Sequence, residues 1–112
     1  GSNIIKLRGR SSFQSPAYNA VKMIEAAMGG EKFTLPAGCY VNCDKCGFKN
    51  VMMAMPTTID KTGVHFTEPT GTEEELASLA KSYEHLCKMR DEIVELGIVP
   101  PVAEWKEMNP NL

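Results

Sequence analysis

An α+β fold, with a small antiparallel sheet packed against two main helices, is predicted by three features of this chain. Two stretches, near residues 16–28 and 73–96, carry apolar residues at three- and four-residue spacing. Between them lie extended runs rich in aromatic and β-favouring residues, Phe33 to Asn42, Val51 to Ile59 and Val64 to Thr67. The connections between those runs are short and hold turn-forming residues, so successive strands pair antiparallel, as a three-stranded meander or larger.

The first helix is expected from about residue 16 to 28. Ser15-Pro16 is a helix start, because serine caps free amides and proline at the first helical position sacrifices no intrahelical bond. Ala17, Ala20, Val21, Ile24, Ala27 and Met28 make one apolar stripe, read as core packing, before Gly29-Gly30 ends the run. Val51 to Ile59, VMMAMPTTI, is apolar almost throughout and suits a strand covered on both faces. Pro56 within it lacks a ladder donor and predicts a bulge or an unpaired position. Asp60-Lys61-Thr62-Gly63 has turn chemistry, with glycine where positive φ is wanted.

Thr72-Glu73-Glu74-Glu75 fits the capping box and starts a long helix that runs to Gly97. Leu76, Leu79, Ala80, Tyr83, Leu86, Cys87, Ile93 and Val94 form its stripe, with Arg90 the one charge intruding on it. The three consecutive glutamates are explained by the positive end of that helix. Pro100-Pro101 then forces extended backbone, and Trp105 is expected to pin an otherwise irregular tail.

Composition narrows the function classes. The chain has 112 residues, one ordinary domain, with 43% hydrophobic and 23% charged residues and a formal charge of -2. No basic stripe suits a nucleic-acid backbone, and no apolar run approaches the roughly 18 residues of a membrane span, so neither partner is expected. Four cysteines without a secretory signal predict reduced thiols, no disulfide bridges and a cytoplasmic location. Gly1-Ser2 reads as an expression scar, leaving residues 3–112 as a single domain, a piece of something larger.

CYVNCDKCGFKN, residues 39 to 50, ends in a C-x-x-C-G step that suggests half of a zinc site. Cys39 and Cys43 lie about 13 Å apart on an extended strand, too far for one ion, so Cys43 and Cys46 need two further ligands. Cys87 sits on a helical apolar stripe, and His65 has no second histidine at ligand spacing. A hairpin tip at Asp44-Lys45-Cys46-Gly47 is therefore preferred and no metal is assigned, with a free-standing zinc-binding interaction module built on Cys43 and Cys46 as the alternative reading.

No catalytic group emerges. His85 falls off its helical stripe, and His65 has no partner positioned by sequence for a triad. A G-x-G-x-x-G loop is absent, so the chain offers no dinucleotide cradle of that kind. There remains Gly9-Arg10-Ser11-Ser12-Phe13-Gln14-Ser15-Pro16, a run of hydroxyls entering a helix N-terminus, where free amides and the helix dipole favour an anion such as a carboxylate, or simply a capped end.

That run, GRSSFQSPAYNAVKMI, and the strands and helix after it resemble the C-terminal domain of the lactate/malate dehydrogenase family, over nearly the whole chain. PAGCYVN, NVMMAMPTTI, the Lys61-Thr62-Gly63 turn, the next strand and TEEELASLAKSYEHLCKM come in the family's order. Within the family the resemblance is nearest the bacterial malate dehydrogenases. It implies a full-length NAD-dependent enzyme that interconverts malate and oxaloacetate, with the N-terminal Rossmann domain, the substrate-clamping arginines and the catalytic histidine upstream of this segment. This segment would hold no catalytic residue, would bind no cofactor by itself and would be inactive alone. The resemblance assigns Ser11, Ser12 and Ser15 to substrate binding, and Ser11 also to the nicotinamide side, as hydrogen-bonding groups. Arg10, where the family usually has a small residue, and the CDKC tip depart from the pattern. The tail IVPPVAEWKEMNPNL is longer than usual and is read as bracing a neighbouring subunit or the missing domain, with a homo-oligomer expected.

Overall fold

The computed structural model describes residues 2–112. Gly1, half of the pair read as an expression scar, lies outside the described residues. The chain forms two compact units, one from the segment through Leu35 together with Thr57–His65, the other from Pro36–Pro56 together with Phe66–Leu112.

In the first unit, helix α1 (Ser2–Arg8) is exposed along its length. It stops at Gly9, whose φ of +71° suits a residue without a Cβ and whose amide reaches the Ile5 carbonyl at 2.8 Å. Helix α2 spans Gln14–Ala27, starting two residues ahead of Pro16. Phe13 occupies the N-cap and no side chain caps the end, so Ser15 is not the cap that its place before proline suggests. Proline is tolerated through the first turn, because amides there have no intrahelical acceptor, and so Pro16 marks the turn without marking its first residue.

Only Ala26 of α2 is buried. Val21, Ile24 and Met28 are 57%, 59% and 83% exposed, which corrects the reading of the stripe as core. A period of 3.6 shows which side of a helix is apolar and says nothing about whether the same chain covers it. Within this unit α2 packs against strand β3 (Thr57–Asp60), and Phe33 bridges Ile59 through two backbone hydrogen bonds of 3.1 and 2.9 Å. Strand β3 turns through Lys61-Thr62 into β4 (Gly63–Phe66), with Gly63 at φ +124° as expected. The Asp60 carboxylate accepts from both the amide and the hydroxyl of Thr62 and pins the turn.

The second unit is built on β1 (Ala37–Cys43) and β2 (Phe48–Met55), antiparallel from Ala37 opposite Met55 to Cys43 opposite Phe48. Alternation along the pair is strict enough to sort the faces. Cys39, Val41, Phe48, Val51, Met53 and Met55 are buried together, while Met52 and Ala54 between them are exposed. Strand β2 is thus covered on one face, not both, because its apolar residues at 52 and 54 fall on the outward side of the pleat. Helix α3 (Glu73–Glu95) lies against β2 and contributes half-buried Leu79, Tyr83, Leu86 and Cys87 to that core.

Both cues for the start of α3 hold. Thr72 Oγ1 accepts from the Glu75 amide at 3.2 Å, and the Glu75 carboxylate accepts from the Thr72 amide at 2.8 Å. Gly97, at φ +69°, follows the helix. The tail forms a 3-10 turn (Val102–Glu104) and a short helix α4 (Trp105–Met108), and Trp105 Nε1 donates to the Pro100 carbonyl at 2.7 Å while its ring lies 6.5 Å from that of Tyr40. Trp105 does pin the tail. Pro56 interrupts the ladder between β2 and β3, so the antiparallel content is realised as two two-stranded ladders, β1-β2 and β3-β4. The fold is α+β, as the residue pattern predicts.

Candidate functional site

The connector from Gly9 to Phe13 carries the hydroxyls singled out in the sequence. Ser11 is exposed, Ser12 half-buried, and Ser15 exposed in the first turn of α2. None of the three is withdrawn into the core, so each is available to a ligand approaching this end of the helix.

Charge at the connector is positive. The Arg8 and Arg10 guanidinium carbons lie 5.8 and 5.1 Å from the Phe13 ring centroid, in cation–π range, and Arg8 Nη1 reaches Gln14 Oε1 at 3.4 Å. Phe13 thus holds two cations beside the helix entrance, where the first-turn amides of Gln14 and Ser15 have no intrahelical acceptor. Pro16 offers no amide at all. Hydroxyls, free amides and two guanidinium groups together favour a small carboxylate. The sequence singles out the serines, and Arg10 only as a departure from the family pattern; the approach of Arg8 and Arg10 to the Phe13 ring emerges from the fold.

The cysteine-bearing tip differs from expectation in one respect. Asp44 to Gly47 does form the turn between β1 and β2, the hairpin tip preferred from sequence, but Cys43 and Cys46 are joined in a disulfide. The turn brings their Cα atoms to 5.6 Å, within bridging range, so the local backbone permits a bond that compartment reasoning excluded. Cys39 and Cys87 lie outside the disulfide, the first buried with its Sγ donating to the Ala37 carbonyl at 3.5 Å, the second half-buried on its helical stripe, as expected of a small hydrophobic residue. Beside the disulfide a Glu68 carboxylate oxygen lies within 4.8 Å of both sulfurs. Nothing in the spacing of residues 43, 46 and 68 announces that proximity.

The histidines form no catalytic pair. His85 is exposed on α3. His65 is exposed too, with Nε2 at 2.8 Å from Thr62 Oγ1 and 3.8 Å from Asp60 Oδ1, so it closes the β3–β4 turn. Hydrogen bonds from the Thr62 hydroxyl and amide, with Lys32 nearby, hold the Asp60 carboxyl at about 2.

The serine-rich entrance to α2, the two antiparallel hairpins and the capped helix α3 all fall within residues 1–96, the span matched by the family model of the lactate/malate dehydrogenase α/β C-terminal domain. The chain belongs to that family. Malate dehydrogenase from Geobacillus kaustophilus is 35% identical to this C-terminal domain over 86 residues, 75% of the chain and 27% of the relative. Malate dehydrogenase from Sorangium cellulosum is 34% identical over 83 residues, 73% of the chain and 26% of the relative. The chain therefore spans about a quarter of the length of these curated relatives. Among the described residues no helix is long and apolar enough to cross a membrane.

Proposed function

We infer that this C-terminal domain is the substrate-side part of an NAD-dependent malate dehydrogenase, whose nucleotide domain and proton-transferring histidine are supplied by the rest of a longer polypeptide. The observation that carries the reading is the family match over residues 1–96 together with relatives that are malate dehydrogenases. The exposed hydroxyls at the entrance to α2 agree with it.

In this reading Ser11 donates a hydrogen bond to the substrate from the side of the nicotinamide, while Ser12 and Ser15 complete the polar wall. The first-turn amides of α2 and the guanidinium groups of Arg8 and Arg10 add a positive field that draws in a dicarboxylate. No group here moves a proton. NAD, when bound, accepts the hydride. Of the described residues, Ser11 alone is assigned to the cofactor, and the chain has no glycine-rich loop for the pyrophosphate, so the bulk of the cofactor would rest on the other domain. The exposed stripe of α2, Val21, Ile24 and Met28, is then a face that the rest of the polypeptide or a second subunit covers.

The decisive assay monitors NADH absorbance in the presence of oxaloacetate. The longer polypeptide carrying this segment is expected to oxidise NADH, and the segment alone is expected to be inert. Turnover by the isolated segment, or none by the longer polypeptide, overturns the reading. The match to the dehydrogenase family supports this reading over the alternative of a free-standing zinc module.

A further inference from the structure

The β1–β2 tip has the form of a ligand-holding turn. Beyond the disulfide, the Cys46 amide donates to Cys43 Sγ at 3.2 Å, and Gly47, at φ +71°, folds its own amide back onto the Asp44 carbonyl at 3.3 Å. The Cys46 amide fixes the position of the Cys43 sulfur within the turn. Both sulfurs are half-buried against the core, which limits how they move, and Glu68 reaches them from the segment after β4.

We propose that Cys43, Cys46 and Glu68 form a site for a zinc-class divalent cation, available when the Cys43–Cys46 disulfide is reduced. It is independent of the dehydrogenase reading, since it uses none of the residues at the α2 entrance. The chemistry balances with a dithiol as reductant. The disulfide takes two electrons and two protons, the dithiol becomes its own cyclic disulfide, and the two resulting thiols release two protons as their sulfurs bind the cation.

Ligand type and spacing both suit zinc. Around a tetrahedral ion, donors at roughly 2.0–2.3 Å sit about 3.3–3.8 Å from one another. The three donor atoms here already lie within 4.8 Å, so opening the S–S bond and small side-chain rotations suffice. Two thiolates select a zinc-type ion over magnesium or calcium, which prefer all-oxygen sites. Three protein ligands leave the fourth position to water. Oxidation removes the thiolates, so disulfide and metal are mutually exclusive states of one tip.

Cobalt(II) titration of the chain reduced under anaerobic conditions, with the reductant then removed, tests this. One cobalt per chain with a thiolate-to-metal charge-transfer band is expected, displaced by zinc and absent from the oxidised protein. Cys43→Ser and Cys46→Ser should each abolish the stoichiometric band, with circular dichroism reporting that the fold is kept. Exposed Glu68→Gln, which threatens the fold least, should weaken cobalt about tenfold or more, and Cys87→Ser should leave binding as it was. Three results overturn the proposal: no band in the reduced chain, a band that survives both tip variants, or unaltered affinity in Glu68→Gln.

Discussion

Arg90 Nη1 donates to the carbonyl oxygens of Asn50 at 3.1 Å and Lys49 at 3.3 Å, tying α3 to the irregular point of β2. The strand pairing slips between Val41 and Asn42, and Asn50, the extra residue opposite, sits at φ +54°. A bulge leaves backbone groups without ladder partners, and a guanidinium supplies donors for them. The charge that intrudes on the stripe of α3 is therefore a structural clamp. Arg90→Met, which keeps the aliphatic stem, should destabilise the domain by about 1.5–3 kcal/mol, the value of hydrogen bonds to a charged group. Urea denaturation checks it, and an unchanged midpoint would remove the clamp from the account.

Met55 is 1% exposed at the end of β2, among the largest side chains fully buried in the second unit. Met55→Ala should cost about 2–5 kcal/mol, because the space it vacates collapses only in part. Ala54, next to it on the exposed face, should accept serine with less than ~0.5 kcal/mol of change. Thermal melts of the two variants should differ widely. Equal melts would contradict the assigned strand faces.

At the start of α3, Thr72→Ala removes one half of the capping box and should cost about 1 kcal/mol. The Glu75 carboxyl is held below its ordinary 4.5 by the backbone amide of Thr72 and then by its hydroxyl. A depressed folded-state value contributes stability above the ordinary carboxyl range, and that contribution is lost as pH falls through the folded value. Removing the threonine hydroxyl should raise the Glu75 value in an NMR titration, and no movement would count against the reciprocal cap.

Asp60, at about 2 against an ordinary 3.8, stays ionised below the usual carboxylate range, because the Thr62 hydroxyl and amide both donate to it. Its contribution to stability should be whole above about pH 4 and fade between about pH 4 and 2. Thr62→Val, which deletes the hydroxyl and keeps the shape, should move the Asp60 titration upward. A midpoint still near 2 would assign the depression to the Thr62 amide and Lys32 rather than to the hydroxyl.

Local signals in the sequence carried what local physics decides. The capping box at Thr72 and Glu75, the stop at Gly97, the turn at Gly63 and the break at Pro56 each depend on residues within a few positions of one another, and each is where the pattern put it. The misreadings depend on distant partners or on chemistry outside the chain. Periodicity marked the stripe of α2 but could not say that Val21 and Ile24 would stay exposed. Cellular compartment was the ground for excluding the Cys43–Cys46 bond, although a four-residue turn suffices to form it. The approach of Glu68 to that tip arises only when the segment after β4 folds back, which no spacing in the sequence encodes.

Ser11 tests the substrate-wall reading most directly, in the longer polypeptide that carries this segment. Ser11→Ala should raise the KM for oxaloacetate by about three- to tenfold, the worth of one hydrogen bond of ~1 kcal/mol, with the thermal midpoint unchanged because the residue is exposed. Kinetics identical to those of the unmodified enzyme would place Ser11 outside the pocket and contradict the account.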